Sequence, residues 1–211
     1  MKKKIKIAVI NEVSAMARNP DILAVLEPTG HEIFNLGMDP SKQQSELTYI
    51  HTGLMAAIVL NSGTCELVVG GCGTGLGFMM SSMQYPGVFT GLVETPLDAW
   101  LFSQINGGNC VSLALNKGYG WAAEINLKYI FERLFQDPFG QGYPLQRQES
   151  QRHSRKMLAE ISAATHRPFA EALLSLPKPY LREVLEFQSF KEFMGRTEAA
   201  QKLYAELEKL P

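Results

Sequence analysis

The chain has 211 residues, 45% of them hydrophobic and 19% charged, which suits one α/β domain with an appendage and a core that needs no staples. Its 20 basic and 21 acidic side chains leave a net charge of −1, so no global field draws it to nucleic acid or to an acidic membrane surface. Three scattered cysteines exclude a disulfide framework and a CxxC metal knuckle, and no segment reaches the ~18 to 20 apolar residues of a membrane span.

The opening "MKKKIKIAVI" leads into "NEVSAMARNPD" without a signal-peptide cleavage pattern, so it reads as a first buried strand in a protein of the reducing cytoplasm. Further β-like runs follow at "HEIFNLG" (31–37), "CELVVGG" (65–71), "GVFTGLVE" (87–94) and "CVSLALN" (110–116), each trailed by a helical pattern. Asn19-Pro20 and Thr95-Pro96 predict helix starts, because the cap side chain accepts a backbone N–H and proline presets φ. "ELTYIHTGLMAAIVLN" and "WAAEINLKYIFERLF" carry apolar residues at helical spacing. Near-continuous apolar strands alternating with helices predict a doubly wound, Rossmann-like parallel five-stranded sheet covered on both faces, over residues 1–136.

"QDPFGQGYPLQ" breaks that pattern, and residues 137–211 read as a helical C-terminal extension: "RQESQRHSRKMLAEISAATHRPFAEALLSL", "KPYLREVLEF" and "GRTEAAQKLYAELEKL". Their apolar faces are too limited for a second core, so they are expected to dock on the sheet domain or on a partner subunit.

The densest chemical signal is "VVGGCGTGLGFMM" (68–80), one cysteine among five glycines between a strand and a helix. In a doubly wound sheet, ligands bind beyond the carboxyl ends of the strands. Glycines there let backbone N–H groups approach an anionic oxygen. The loop lacks the GxGxxG register of a dinucleotide site, the Gly-Lys-Ser/Thr of a P-loop and the serine of a nucleophile elbow, so neither NAD nor ATP has support. Cys72 can be a small residue in a tight turn, or a thiol that a helix N-terminus turns into a base or nucleophile. Cys65 and Cys110, at strand starts, read as structural.

Residues 72–77, Cys-Gly-Thr-Gly-Leu-Gly, then Pro86-Gly87, then Asn106 and Asn109 before the next strand, with Tyr49 and His51 upstream, resemble the ribose-5-phosphate isomerase B and galactose-6-phosphate isomerase family over residues 4–135. The resemblance implies a cofactor-free aldose–ketose isomerase, a homodimer or higher homo-oligomer with active sites shared between subunits, acting on a pentose or hexose, expected as its 5- or 6-phosphate. It implies no metal, nucleic-acid or membrane partner. By that likeness Cys72 is the base that moves a proton through a cis-enediolate. Gly73, Gly75 and Gly77 offer N–H donors, and Thr74 and Asn106 hydrogen-bond the reacting oxygens. A base beside an oxyanion hole is what proton abstraction next to a carbonyl requires.

The departures from the family pattern are Glu12-Val13 where Asp-His is usual, Ile105 where a ring-opening histidine stands, and Phe89 where an arginine is common. Glu12 can still bind sugar hydroxyls. Ring opening then falls to His51 or Glu12, or the substrate arrives open. Phosphate recognition falls to "RHSRK", in which Arg152 and Lys156 share a helix face four residues apart; the same pattern suits a solvated basic face. Two other readings stand beside the isomerase: a non-catalytic sugar-phosphate-binding or regulatory protein, and a cysteine hydrolase.

Overall fold

The computed structural model describes residues 3–196 and, beyond them, 198, 201 and 205, so most of the segment 195–210 expected to be helical lies outside the described residues. Five strands form one parallel sheet: β1 (Lys6–Asn11), β2 (Glu32–Asn35), β3 (Leu67–Cys72), β4 (Thr90–Val93) and β5 (Cys110–Ala114), in the order β2-β1-β3-β5-β4. All four pairings are parallel. Each strand coincides with one of the five runs, β1 and β3 reaching one residue past theirs, and the expected doubly wound architecture is the one observed. All six residues of β3 are buried, as a central strand with helices on both faces requires.

One face is covered by α1 (Asn19–Leu26), α4 (Pro96–Leu101) and α5 (Ala123–Leu134), which set Ile22, Leu26, Ala99, Leu127, Phe131 and Leu134 against Val9, Val69 and Val111 of the sheet. The other is covered by α2 (Tyr49–Asn61) and α3 (Leu76–Ser82). Thr95 caps α4 as its sequence predicts: its hydroxyl accepts the Asp98 N–H at 3.2 Å, while the Asp98 carboxylate accepts the Thr95 N–H at 2.9 Å. Asn19 does not cap α1. A short 3-10 turn (13–18) runs directly into that helix, so Asn19 has helical φ and ψ and its amide turns inward to Asn11 at 2.7 Å and Asn35 at 2.8 Å.

α2 explains the placement of the extension. Thr52 to Val59 are buried in succession, all the way round the helix, and a helix apolar on every side needs cover on every side. The sheet and α3 cover part of it. At Gly53 a Cβ would sit 2.7 Å from Ser81 Cβ, so glycine is what lets α2 and α3 approach. The rest is covered by the extension, which comprises α6 (Gln148–Thr165), α7 (Phe169–Leu174), α8 (Lys178–Glu186) and α9 (Gln188–Met194). Leu181, Val184, Leu185, Phe187, Phe190, Phe193 and Met194 join the same apolar cluster as α2. Polar latches fix the register: Tyr180 Oη donates to Ile50 O at 2.9 Å and meets Tyr85 Oη at 3.0 Å, and Ser189 Oγ donates to Leu36 O at 3.1 Å. Among the described residues no helix is long and apolar enough to cross a membrane.

Phe190 is fully buried in that cluster. Phe190→Ala is expected to lower the unfolding free energy by about 3 to 5 kcal/mol in urea melts. A loss under about 1 kcal/mol would mean that α9 only rides on the surface.

Candidate active site

The strand order reverses between β1 and β3, so the crevice beyond their carboxyl ends is where a ligand has access to backbone from two strands and their loops. Cys72 is the last residue of β3, paired with Ala114 of β5, and it is 6% exposed. Its sulfur lies 3.9 Å from the Thr74 hydroxyl, which also accepts the Leu76 N–H at 3.3 Å. α3 begins at Leu76, so Gly77 belongs to the helix and only Gly73 to Gly75 form the loop.

Each of these glycines has a distinct reason. Gly75 has φ +75° and would place a Cβ 3.1 Å from the Leu113 carbonyl oxygen, so the turn excludes a side chain on two counts. Gly77 lies under the Tyr49 ring, whose Cγ would be 2.9 Å from an added Cβ. The donors divide unevenly. Gly73 N–H donates to Ser14 Oγ at 3.0 Å, and Gly75 N–H to Cys72 O at 3.3 Å. The N–H groups of Thr74 and Gly77 have no partner among the described residues. With the Phe78 N–H, which is likewise without a partner among the described residues, they are the amides left at the start of α3 for a ligand oxygen.

β1 contributes the opposite wall. Glu12, 5% exposed, accepts the Ser14 N–H at 3.1 Å and makes a short bond with the Ser14 hydroxyl. Val13 packs against the apolar cluster around α2 and donates its N–H to Leu47 O at 2.8 Å, bringing the start of α2 to the same edge. There Tyr49 is partly exposed, and His51 closes a capping box: its Nδ1 faces the Thr48 N–H at 3.0 Å and its Nε2 lies 2.7 Å from Glu183 of α8. His51 is thus held on both sides.

Asn106 and the basic residues stand elsewhere. Asn106 ends a π-helical turn (102–106) before β5, at the amino end of the sheet, whereas Cys72 is level with the last residue of β5. Four strand steps of about 3.3 Å separate those two levels. Arg152 and Lys156 lie on α6, which packs beside that turn. Arg155 Nη1 donates to Ile105 O at 3.0 Å, and Arg152 Nη2 to Gln141 O at 3.3 Å. Lys156 is exposed, its amine 4.0 Å from Glu160. Within one chain, then, Cys72, Thr74, Glu12, Tyr49, His51 and the glycines share one end of the sheet, and Asn106, Arg152 and Lys156 the other.

Ser14 and Asn116 stand against the Cys72 loop, and sequence reasoning did not single them out. Asn116 Nδ2 donates to Ser14 O at 2.7 Å, and its N–H to Gly73 O at 2.9 Å. The available signal was position: both follow directly on the carboxyl end of a strand. The other two thiols are chemically remote. Burial pushes Cys65 and Cys110 up to about 12, above the usual 9.0. The fold keeps those protons after the unfolded chain has lost them, so these groups make stability fall as pH rises from about 9 toward 12. Native protein treated with iodoacetamide at pH 8 is expected to carry label at Cys72 alone, with Cys65 and Cys110 labelled only after denaturation. Equal labelling of all three would contradict this burial.

Comparisons with known proteins agree with this fold. A family model described as ribose/galactose isomerase matches residues 7–156. A crystal structure of a 4-deoxy-L-threo-5-hexosulose-uronate ketol-isomerase complexed with a tartrate is 40% identical, with TM-score 0.90, covering 97% of this chain and 100% of that one. A ribose-5-phosphate isomerase from Vibrio parahaemolyticus is 37% identical, with TM-score 0.92, covering 99% of this chain and 100% of that one. The type B ribose 5-phosphate isomerase of Leishmania infantum shares the fold at 16% identity and TM-score 0.63; it covers 78% of this chain and 100% of its own. No curated protein matches the chain significantly.

Proposed function

Because the chain belongs to the ribose/galactose isomerase family, we propose that it interconverts the aldose and ketose forms of a sugar, with Cys72 as the proton-transfer base. The observation that carries the reading is the thiol at the carboxyl end of β3 beside the unpartnered amides of Thr74 and Gly77. The thiolate takes a proton from the carbon next to the carbonyl. The resulting enediolate oxygen meets the two amides and the Thr74 hydroxyl, and Cys72 returns the proton to the neighbouring carbon. Glu12, Tyr49 and His51 border the sugar, and Gly73 and Gly75 shape the loop.

The remaining recognition comes from a second copy of the chain. α6 has no buried residue along its 18, and Met157, Leu158 and Ile161 are about half exposed on it, which leaves an apolar stripe for a partner. A homodimer that places the Asn106 end of one subunit over the Cys72 end of the other supplies Asn106, Arg152 and Lys156 to the site. Those cations recognise the anionic group of the substrate, a 5- or 6-phosphate in the first reading.

A second reading puts a uronate in place of a sugar phosphate. The ketol-isomerase that is 40% identical is named for a uronate.

In deuterated water the protein is expected to exchange the hydrogen beside the carbonyl of pentose phosphates, hexose phosphates or a keto-uronate, and Cys72→Ser to lower that rate by about 10²- to 10⁴-fold. No exchange with any of them, with ligand-dependent thermal stabilisation retained, would select a non-catalytic binding protein instead. Mixing inactive Cys72→Ser and Arg152→Ala subunits is expected to restore about a quarter of the wild-type sites, since only the mixed dimer holds one intact site. Failure to restore any would place both residues in one chain's site.

A further inference from the structure

Passing a sugar through an enediolate moves protons at oxygen as well as at carbon, and a thiol serves only the carbon. We propose that Ser14, backed by the buried carboxylate of Glu12, takes the hydroxyl proton that a cyclic substrate must lose to open its ring; the inference rests on the isomerase reading above.

Four observations converge on it. Both Glu12 oxygens are turned to Ser14, and among the described residues no cation stands within ion-pair distance to compete for them. Ser14 is itself exposed, so its oxygen lies between a buried carboxylate and open space. Gly73 N–H donates to that oxygen at 3.0 Å, which stabilises the negative charge that develops as the hydroxyl proton leaves. Asn116 fixes the Ser14 backbone at 2.7 Å, so the pair is held against the Cys72 loop. The other candidate at this end, His51, has its ring nitrogens taken up by Thr48 and Glu183.

The step balances as follows. The anomeric hydroxyl gives its proton to Ser14 Oγ while Ser14 passes its own to Glu12 Oε1. The electron pair left on the anomeric oxygen forms the carbonyl, and the bond from that carbon to the ring oxygen breaks. The ring oxygen takes a proton from water, and Glu12 returns its proton to the hydroxide so formed. The open-chain aldehyde or ketone then lies beside Cys72.

The test is how turnover depends on enzyme concentration, with whichever cyclic sugar or sugar phosphate the wild type isomerises. Wild-type rates are expected to rise in proportion to enzyme. Ser14→Ala and Glu12→Gln are expected to lose about 10²- to 10⁴-fold in kcat. Their rates should also level off, at high enzyme, at the rate of spontaneous ring opening. Ser14→Thr, which keeps a hydroxyl, is expected to restore proportionality. A Ser14→Ala rate that stays proportional to enzyme throughout, whether lowered or not, overturns the proposal, because misplacement of the loop alone slows turnover without capping it. Loss of the native thermal transition in Ser14→Ala shifts the decision to Glu12→Gln, which conserves shape, judged by the same criterion. A wild type inactive on every sugar removes the isomerase reading itself, which separates that failure from this one.

Discussion

The backbone of Gly73 ties three strand ends together. Its carbonyl accepts the N–H groups of Asn116 and Lys117 beyond β5, at 2.9 and 2.8 Å, and its own N–H goes to Ser14 beyond β1, while Cys72 precedes it on β3. A side chain at 73 would press on Ser14 Oγ at 3.2 Å and on Asn116 Nδ2 at 3.4 Å. The thiol is therefore positioned by backbone hydrogen bonds on rigid elements, which is the precision proton transfer demands. The open amides follow from the same constraint: with the Gly73 N–H and carbonyl both engaged, the chain turns through Gly75 at φ +75° and leaves the Thr74 and Gly77 N–H groups without a partner among the described residues.

Much of this was legible in the sequence because the physics involved is local. Five apolar runs, each long enough for a buried strand, and proline-marked helix starts fix the sheet and its helices. A cysteine among closely spaced glycines after a strand marks the candidate site. What escaped was what depends on pairs distant in the chain. Nothing near Asn19 tells that Asn11 and Asn35 compete for its amide, and nothing near Ser14 tells that Gly73 lies across from it. The separation of Asn106 from Cys72 was available in principle. In a parallel sheet, a residue that ends one strand and a residue that precedes another occupy opposite ends, whatever motif unites them in sequence.

The extension joins the two levels of description. The type B isomerase of Leishmania infantum leaves about a fifth of this chain unmatched, whereas the two structures at 37% and 40% identity span nearly all of it. The added helices are core material, since six apolar side chains of α8 and α9, with Phe187 between them, enter the cluster around α2. They also reach the site edge, where Glu183 fixes His51 and Tyr180 holds the carbonyl of Ile50. Growth of the chain thus reaches the candidate site at the N-terminus of one helix.

That helix also orders events during synthesis. α2 leaves the ribosome more than a hundred residues before α8 and α9 can reach it, so one greasy flank of the nascent sheet stands bare for most of translation. Emerging polypeptide of this kind needs either chaperone shelter or rapid elongation, and a stall anywhere between residues 62 and 177 would strand a half-clad, sticky intermediate.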